Sequence, residues 1–184
     1  MATLPSICVF CGSRPGALPA YSAAAAQFGR DIAARNWRLV YGAGDVGLMG
    51  EVARAAMASG AATMGVIPAH LMAKESGKRD LSQLVITENM HERKKVMFMN
   101  SDAIVLLPGG AGSLDEFFEV LTWGQIGLHR KPIFILNTEG YWDPLIALMD
   151  HVIARGFADA TMRDGFQIAA DVPTLGEKLQ ALLQ

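Results

Sequence analysis

The chain of 184 residues contains only two cysteines, Cys8 and Cys11. That is too few for a disulfide scaffold and, with no second pair, too few for a cysteine zinc site. Their C-x-x-C spacing would suit a redox pair, but Cys8 falls inside an expected strand and Cys11 at its end, whereas an active pair usually opens a helix. Small packed residues near a turn are the simpler reading. Charged residues are sparse at 18% against 51% hydrophobic, which excludes a disordered chain. No lysine/arginine run or basic tail exists and the net charge is −2, so no nucleic-acid partner is expected. No apolar run reaches membrane-spanning length, and the stretch Met1 to Pro5 lacks the positive start of a signal peptide. A cytoplasmic protein with no membrane partner is expected. There is no G-x-S-x-G nucleophile elbow, and no glycine turn ends in Gly-Lys-Ser/Thr as a P-loop does. His70, His129 and His151 lie far apart without ligand spacing, so structural or surface roles are expected for each.

What is present is an alternation. Apolar runs at Ile7 to Phe10, Arg38 to Tyr41, Thr63 to Ile67, Leu84 to Thr87, Ala103 to Leu107, Ile133 to Leu136 and Phe166 to Ala169 read as strands. Between them, helical patterns cover Tyr21 to Arg35, Leu48 to Ser59, Met90 to Asn100, Ser113 to Gly127, Tyr141 to Arg155 and Leu175 to Leu183. His70 to Gln83 is polar and irregular and reads as a loop. Strands alternating with helices imply an α/β fold: one Rossmann-like domain over residues 1–184, with an open parallel sheet of about seven strands and helices on both faces. Ligands of such sheets bind outside the carboxyl ends of the strands.

Nineteen glycines cluster at those ends. Three turns bear them: Cys11 to Gly16, Gly42-Ala43-Gly44-Asp45-Val46-Gly47, and Pro108-Gly109-Gly110-Ala111-Gly112. Together they predict a nucleotide or sugar-phosphate pocket. The second matches G-x-G-x-x-G, but the acidic ribose ligand of a dinucleotide site is missing at the end of the third strand, Gly65 to Pro68. The third turn runs from a strand into a helix, whose unpaired N–H groups and positive end suit a phosphate. Ser113 can cap that helix, and Glu116 stands at capping-box spacing; alternatively, Glu116 is a carboxylate facing the pocket. His91-Glu92-Arg93-Lys94-Lys95 opens the helix just before. A solvated helix end is the ordinary reading of such charges, but Arg93 and Lys94 also suit anionic oxygens. Glu116 could activate water or stabilise a cation, with Arg93 acting electrostatically.

At these residues the chain resembles a known family. Tyr41 to Gly50 is similar to a Y-G-G-G-x-x-G-L-M-G motif, and Arg93-Lys94 with Pro108 to Glu116 is similar to R-K followed by P-G-G-x-G-T-x-x-E. Both belong to the LOG family, the cytokinin riboside 5′-monophosphate phosphoribohydrolases, long mislabelled lysine decarboxylases. The resemblance covers nearly the whole chain. It implies hydrolysis of the N-glycosidic bond of an N6-modified AMP, to free base and ribose 5-phosphate, without metal or cofactor. It implies Arg93 and Glu116 as the catalytic pair. Gly109, Gly110, Ala111, Gly112, Ser113, Leu114 and Asp115 would bind substrate, as would Gly42, Gly44, Ser13, Arg14, Lys94, Glu75 and Thr122. It also implies a homodimer or larger assembly. Ser113 stands where the family has threonine, keeping the hydroxyl. Ala43 stands where it has glycine, and the added methyl is expected to narrow the backbone approach. A binding module that holds a nucleotide or nucleotide-like cofactor without hydrolysis is the competing expectation. Lysine decarboxylation has no support, since no lysine has an evident Schiff-base site.

Overall fold

The structure is a computed structural model that describes residues 4–72 and 81–183. Seven strands form one sheet: β1 (Ser6–Phe10), β2 (Arg38–Tyr41), β3 (Thr63–Pro68), β4 (Gln83–Thr87), β5 (Ala103–Leu106), β6 (Ile133–Leu136) and β7 (Gln167–Ala169). Their order is β4-β3-β2-β1-β5-β6-β7, and every pairing is parallel. Parallel strands need crossovers, and six helices supply most of them: α1 (Pro19–Ala34), α2 (Gly47–Ala58), α3 (Met90–Met99), α4 (Ala111–Gln125), α5 (Asp143–Ala154) and α6 (Val172–Leu182).

Successive strand residues point to opposite faces, so a strand covered on both sides must be apolar throughout. β1 shows this directly. Ile7 and Val9 pack with Phe28, Ile32, Val52 and Leu179 from α1, α2 and α6. Cys8 and Phe10 pack with Met97, Phe117 and Trp142 on the side of α3, α4 and α5. Cys11 joins the first of these clusters and Cys8 the second. Both thiols are free, and they lie on opposite faces of the sheet, so the C-x-x-C spacing joins nothing.

The chain runs outward from β1 to β4, then returns to place β5 beside β1, with Cys8 opposite Ile104 and Val9 opposite Val105. The order reverses there, and the loops leaving β1 and β5 diverge to opposite faces. That is the crevice where ligands of such sheets bind.

The seven strands and six helices stand where the residue pattern placed them, and most ends differ by one to three residues. Two ends carry meaning. α4 begins at Ala111, two residues earlier than expected, with Gly110 as the N-cap and no side-chain capping bond. The expected Ser113 cap and the Glu116 capping box are therefore both absent. α6 begins at Val172, because the Asp171 carboxylate accepts from Thr174 N–H at 2.8 Å and Pro173 is tolerated in a first turn. The expected loop after β3 opens with a short 3₁₀ turn, Ala69–Leu71. No helix among the described residues is long and apolar enough to cross a membrane.

Candidate active site

The three glycine turns interlock at the carboxyl edge of the sheet. Gly12 N–H donates to Pro108 C=O at 2.9 Å, tying the β1 loop to the β5 loop. Gly47 has φ +60°, and a Cβ there would overlap the Ser13–Arg14 peptide, so the β2 turn packs against the same loop. Between them lies a cavity of about 500 Å³. Ser13, Arg14, Gly42, Arg93, Gly109 to Ser113 and Glu116 all line it, so most of the expected site residues converge.

One wall is the start of α4. The first helical bond runs from Leu114 N–H to Gly110 C=O. The N–H groups of Gly110, Ala111, Gly112 and Ser113 thus have no helical acceptor, and no side chain takes their place. A Cβ on Gly110 or Gly112 would meet nothing within 4 Å. Packing does not demand glycine at either position; its absence of side chain keeps the amides open to a ligand. Four unpaired donors at the positive end of a 15-residue helix have the geometry that can hold an anion.

Beside that start, one turn further along α4, Glu116 lines the cavity together with Arg93 of α3, and both are buried. Arg93 Nε donates to Val66 C=O at 3.1 Å and Nη2 to Gly42 C=O at 3.0 Å, so β3 and the turn leaving β2 aim the guanidinium. Its Nη1 stands 3.8 Å from Glu116 Oε1. Gly42 must lack a side chain, because a Cβ would overlap Arg93 Nη2. Burial pushes the Glu116 carboxyl up to about 7; Arg93 restrains the rise and Asp115 adds to it. Glu116 therefore titrates near neutral pH, which suits a group meant to exchange protons or meet a developing cation. Burial also pushes the Cys11 thiol up, which makes it a poor nucleophile.

Among the described residues, the remaining expected ones are not at the cavity. Lys94 turns the other way: its Nζ lies 2.9 Å from Asp115 Oδ2 and 3.1 Å from Glu119 Oε2. Burial alone would lower its pKa, but those two carboxylates more than offset that and raise it. Lys94 is thus a clamp between α3 and α4, not a ligand of the cavity within one chain. Leu114, on α4, packs against the core, while Thr122 and Gly44 lie off the cavity wall. Glu75 lies outside the described residues. Ala43 takes φ +61° and is fully buried. Its methyl faces Gly65 on β3, where a Cβ would come within 2.9 Å of it. The added methyl therefore does not narrow the approach to the cavity, contrary to expectation.

Tyr21, Tyr141, Met49 and Met97 also line the cavity, and sequence reasoning missed all four. Tyr141 Oη donates to Gly109 C=O at 2.5 Å, across 32 residues of chain. Gly140 immediately before it was the one available signal.

Residues 49–179 match a family model described as "possible lysine decarboxylase". The chain is 44% identical over 178 residues to a protein of Oryza sativa subsp. japonica named as a probable cytokinin riboside 5′-monophosphate phosphoribohydrolase, covering 97% of this chain and 78% of that one. It is 41% identical over 174 residues to a cytokinin riboside 5′-monophosphate phosphoribohydrolase of Arabidopsis thaliana, covering 95% of this chain and 82% of the other. In fold it is similar to the molybdenum cofactor binding protein of Rippkaea orientalis, with TM-score 0.75, 22% identity and 100% of both chains covered. The molybdenum cofactor carrier protein of Chlamydomonas reinhardtii is similar too, with TM-score 0.75 and 22% identity over 98% of this chain and 99% of that one. The identity with proteins of both plants, spread over nearly the whole chain, places this protein in the LOG family of cytokinin riboside 5′-monophosphate phosphoribohydrolases.

Proposed function

We propose that the protein hydrolyses the N-glycosidic bond of a nucleoside 5′-monophosphate, an N6-modified AMP in the first place, giving free base and ribose 5-phosphate. The observation that carries this is the joining of four open helix-start amides and the Arg93–Glu116 pair in one cavity. Gly112 and Glu116 are four residues apart on α4, hence on one face and about 6 Å apart along the axis. A 5′-phosphate on the amides brings the sugar, with its scissile C1′–N bond, alongside the carboxylate.

Cleavage leaves the bonding electron pair on the base and positive charge on the ribose. Ionised Glu116 stabilises that charge and accepts a proton from the attacking water. Arg93, fixed by the Val66 and Gly42 carbonyls, favours the ionised form of Glu116 and orients it. The water's oxygen ends on C1′ and one of its protons passes to the carboxylate; the departing base takes a proton from solvent, and Glu116 returns its own to solvent, so the step balances. Identity over nearly the whole chain to the named cytokinin riboside 5′-monophosphate phosphoribohydrolases supports the N6-modified substrate. We take residues 1–184 as one nucleotide-binding unit that works as a homodimer; exposed Met99, Ile126 and Leu128 at the ends of α3 and α4 support the pairing.

The test is base release from AMP, from N6-isopentenyl-AMP and from the corresponding ribosides, followed by chromatography. Release from the nucleotides and little from the ribosides is expected. Tight nucleotide binding with no base released by any substrate would assign a binding module in place of a hydrolase.

A further inference from the structure

Gly109 and Gly110 are joined by the one peptide in the cradle that two glycines flank. Rotating that peptide changes only ψ of Gly109 and φ of Gly110, which glycine permits at little steric cost. In a trans peptide the C=O and the next N–H point in opposite directions. The orientation of the Gly109 carbonyl therefore decides where the Gly110 N–H points, and the Gly110 N–H is one of the four open donors.

Tyr141 holds that carbonyl. Its hydroxyl donates to Gly109 C=O at 2.5 Å, and its ring lines the cavity mouth, 37% exposed. The loop that presents it is built with care. Glu139 and Gly140 take consecutive left-handed conformations, φ +54° and +67°. For a glutamate that is a strained choice. The Asn137 side chain braces the turn from within: its Oδ1 accepts from Trp142 N–H and its Nδ2 donates to Asp143 Oδ1, both at 2.7 Å. The Tyr141 ring stands edge-on to Tyr21 at 5.4 Å and to the buried Trp142 at 4.7 Å. Ring packing thus fixes the side chain independently of its hydroxyl.

We infer that Tyr141 is a positioning residue for phosphate: its hydroxyl pins the Gly109–Gly110 peptide so that the carbonyl faces away from the bound anion and the amide stays available to it. This rests on the phosphate cradle proposed above. Without the hydroxyl, the peptide can turn a carbonyl toward the anion, which replaces an attraction with a repulsion.

The experiment compares wild type with Tyr141→Phe, which keeps both ring contacts. Binding of inorganic phosphate and of ribose 5-phosphate is measured by calorimetry, KM and kcat with AMP and N6-isopentenyl-AMP, and Tm by thermal unfolding. Expected are a weakening of both phosphate ligands by about tenfold, the worth of one hydrogen bond to a ligand, a matching rise in KM, a much smaller change in kcat, and an unchanged Tm. Unchanged phosphate affinity in the variant overturns the inference. So does a loss shared equally by KM and kcat together with a lowered Tm, which would assign Tyr141 to the fold. A wild-type protein that binds phosphate but releases no base refutes the hydrolase reading alone, and the titration still decides this one. A wild type that binds neither phosphate nor ribose 5-phosphate removes the cradle and the inference together.

Discussion

Replacing Glu116 by Gln separates what the carboxylate does chemically from what it costs to bury. The folded protein holds this carboxyl near pH 7, against an ordinary value of 4.5, chiefly through burial. A raised folded-state value means that folding favours the neutral acid. Below about pH 4.5 the group is neutral in both states and nothing is lost. Between about pH 4.5 and 7 the unfolded chain ionises while the folded one resists, and stability falls as pH rises. Above 7 the full penalty applies, about 3 kcal/mol for a carboxyl moved from 4.5 to about 7. Glutamine mimics the neutral acid at every pH. Glu116→Gln is therefore more stable than wild type at pH 8, by about 2–3 kcal/mol, and equal to it at pH 4. Urea unfolding at the two values measures the difference. Activity moves the other way, with base release down at least about 100-fold, as when a positioned acid–base or charge-stabilising group is removed. In wild type, kcat/KM should rise through about pH 7 as the carboxylate forms. A variant less stable than wild type at pH 8, or a stability difference that does not change with pH, would refute the burial argument. Substantial turnover by a folded Glu116→Gln would remove Glu116 from the mechanism.

Three further substitutions probe the surrounding backbone. Gly42→Ala places a methyl on Arg93 Nη2 and must displace the guanidinium; base release should fall about tenfold or more while the far-ultraviolet circular dichroism is unchanged, and full activity would show that Arg93 needs no fixed seat. Gly112→Ala has room for its Cβ; stability should hold or rise by about 0.5 kcal/mol in urea unfolding, while affinity for ribose 5-phosphate falls, and unchanged affinity would place the phosphate elsewhere. Ala43→Gly removes a left-handed alanine, φ +61°; relief of about 1 kcal/mol is partly offset by the extra freedom of glycine in the unfolded chain, so a gain in Tm of about 1–2 °C is expected, and a loss would mean that the methyl against Gly65 contributes more than the backbone strain removes.

The sheet and its helices were legible because each layer obeys a local rule. Fully buried parallel strands read as apolar runs, and glycine turns mark their carboxyl ends. The cavity was legible for the same reason: three such turns must meet at one edge. What escaped depended on contacts between distant residues. Lys94 meets Asp115 and Glu119 across 21 and 25 positions, and no spacing rule foretells that a lysine on α3 will find two carboxylates on α4. Tyr141 looked like the first turn of a helix because Gly140 and Glu139 do not announce their left-handed conformations. Ser113 passed for a cap because serine is good at it. Two glycines and an alanine before it let the helix start earlier, and no side chain was left at the true N-cap.

That uncapped start is the site's organising choice, and it aligns with others nearby. A side-chain cap on α4 would satisfy the donors the ligand needs. Leaving them open costs stability, as does a carboxyl buried at Glu116 and a left-handed backbone at Ala43 and Glu139. All four lie in loops or helix starts at the carboxyl edge of the sheet. Among the described residues, the amino edge has one left-handed residue other than glycine, Asn36, of a type that tolerates φ +56°. Proteins that share this fold at 22% identity include molybdenum cofactor carriers, so the crevice itself does not select a reaction. An open helix start suffices to hold a phosphate. A buried carboxylate kept near neutrality, 3.8 Å from an arginine seated on the Val66 and Gly42 carbonyls, adds nothing to holding one and destabilises the fold. The proposed hydrolysis, in which charge develops beside the sugar, gives that arrangement a use, and the pH-dependent stability gained by Glu116→Gln measures how much the protein forgoes to keep it.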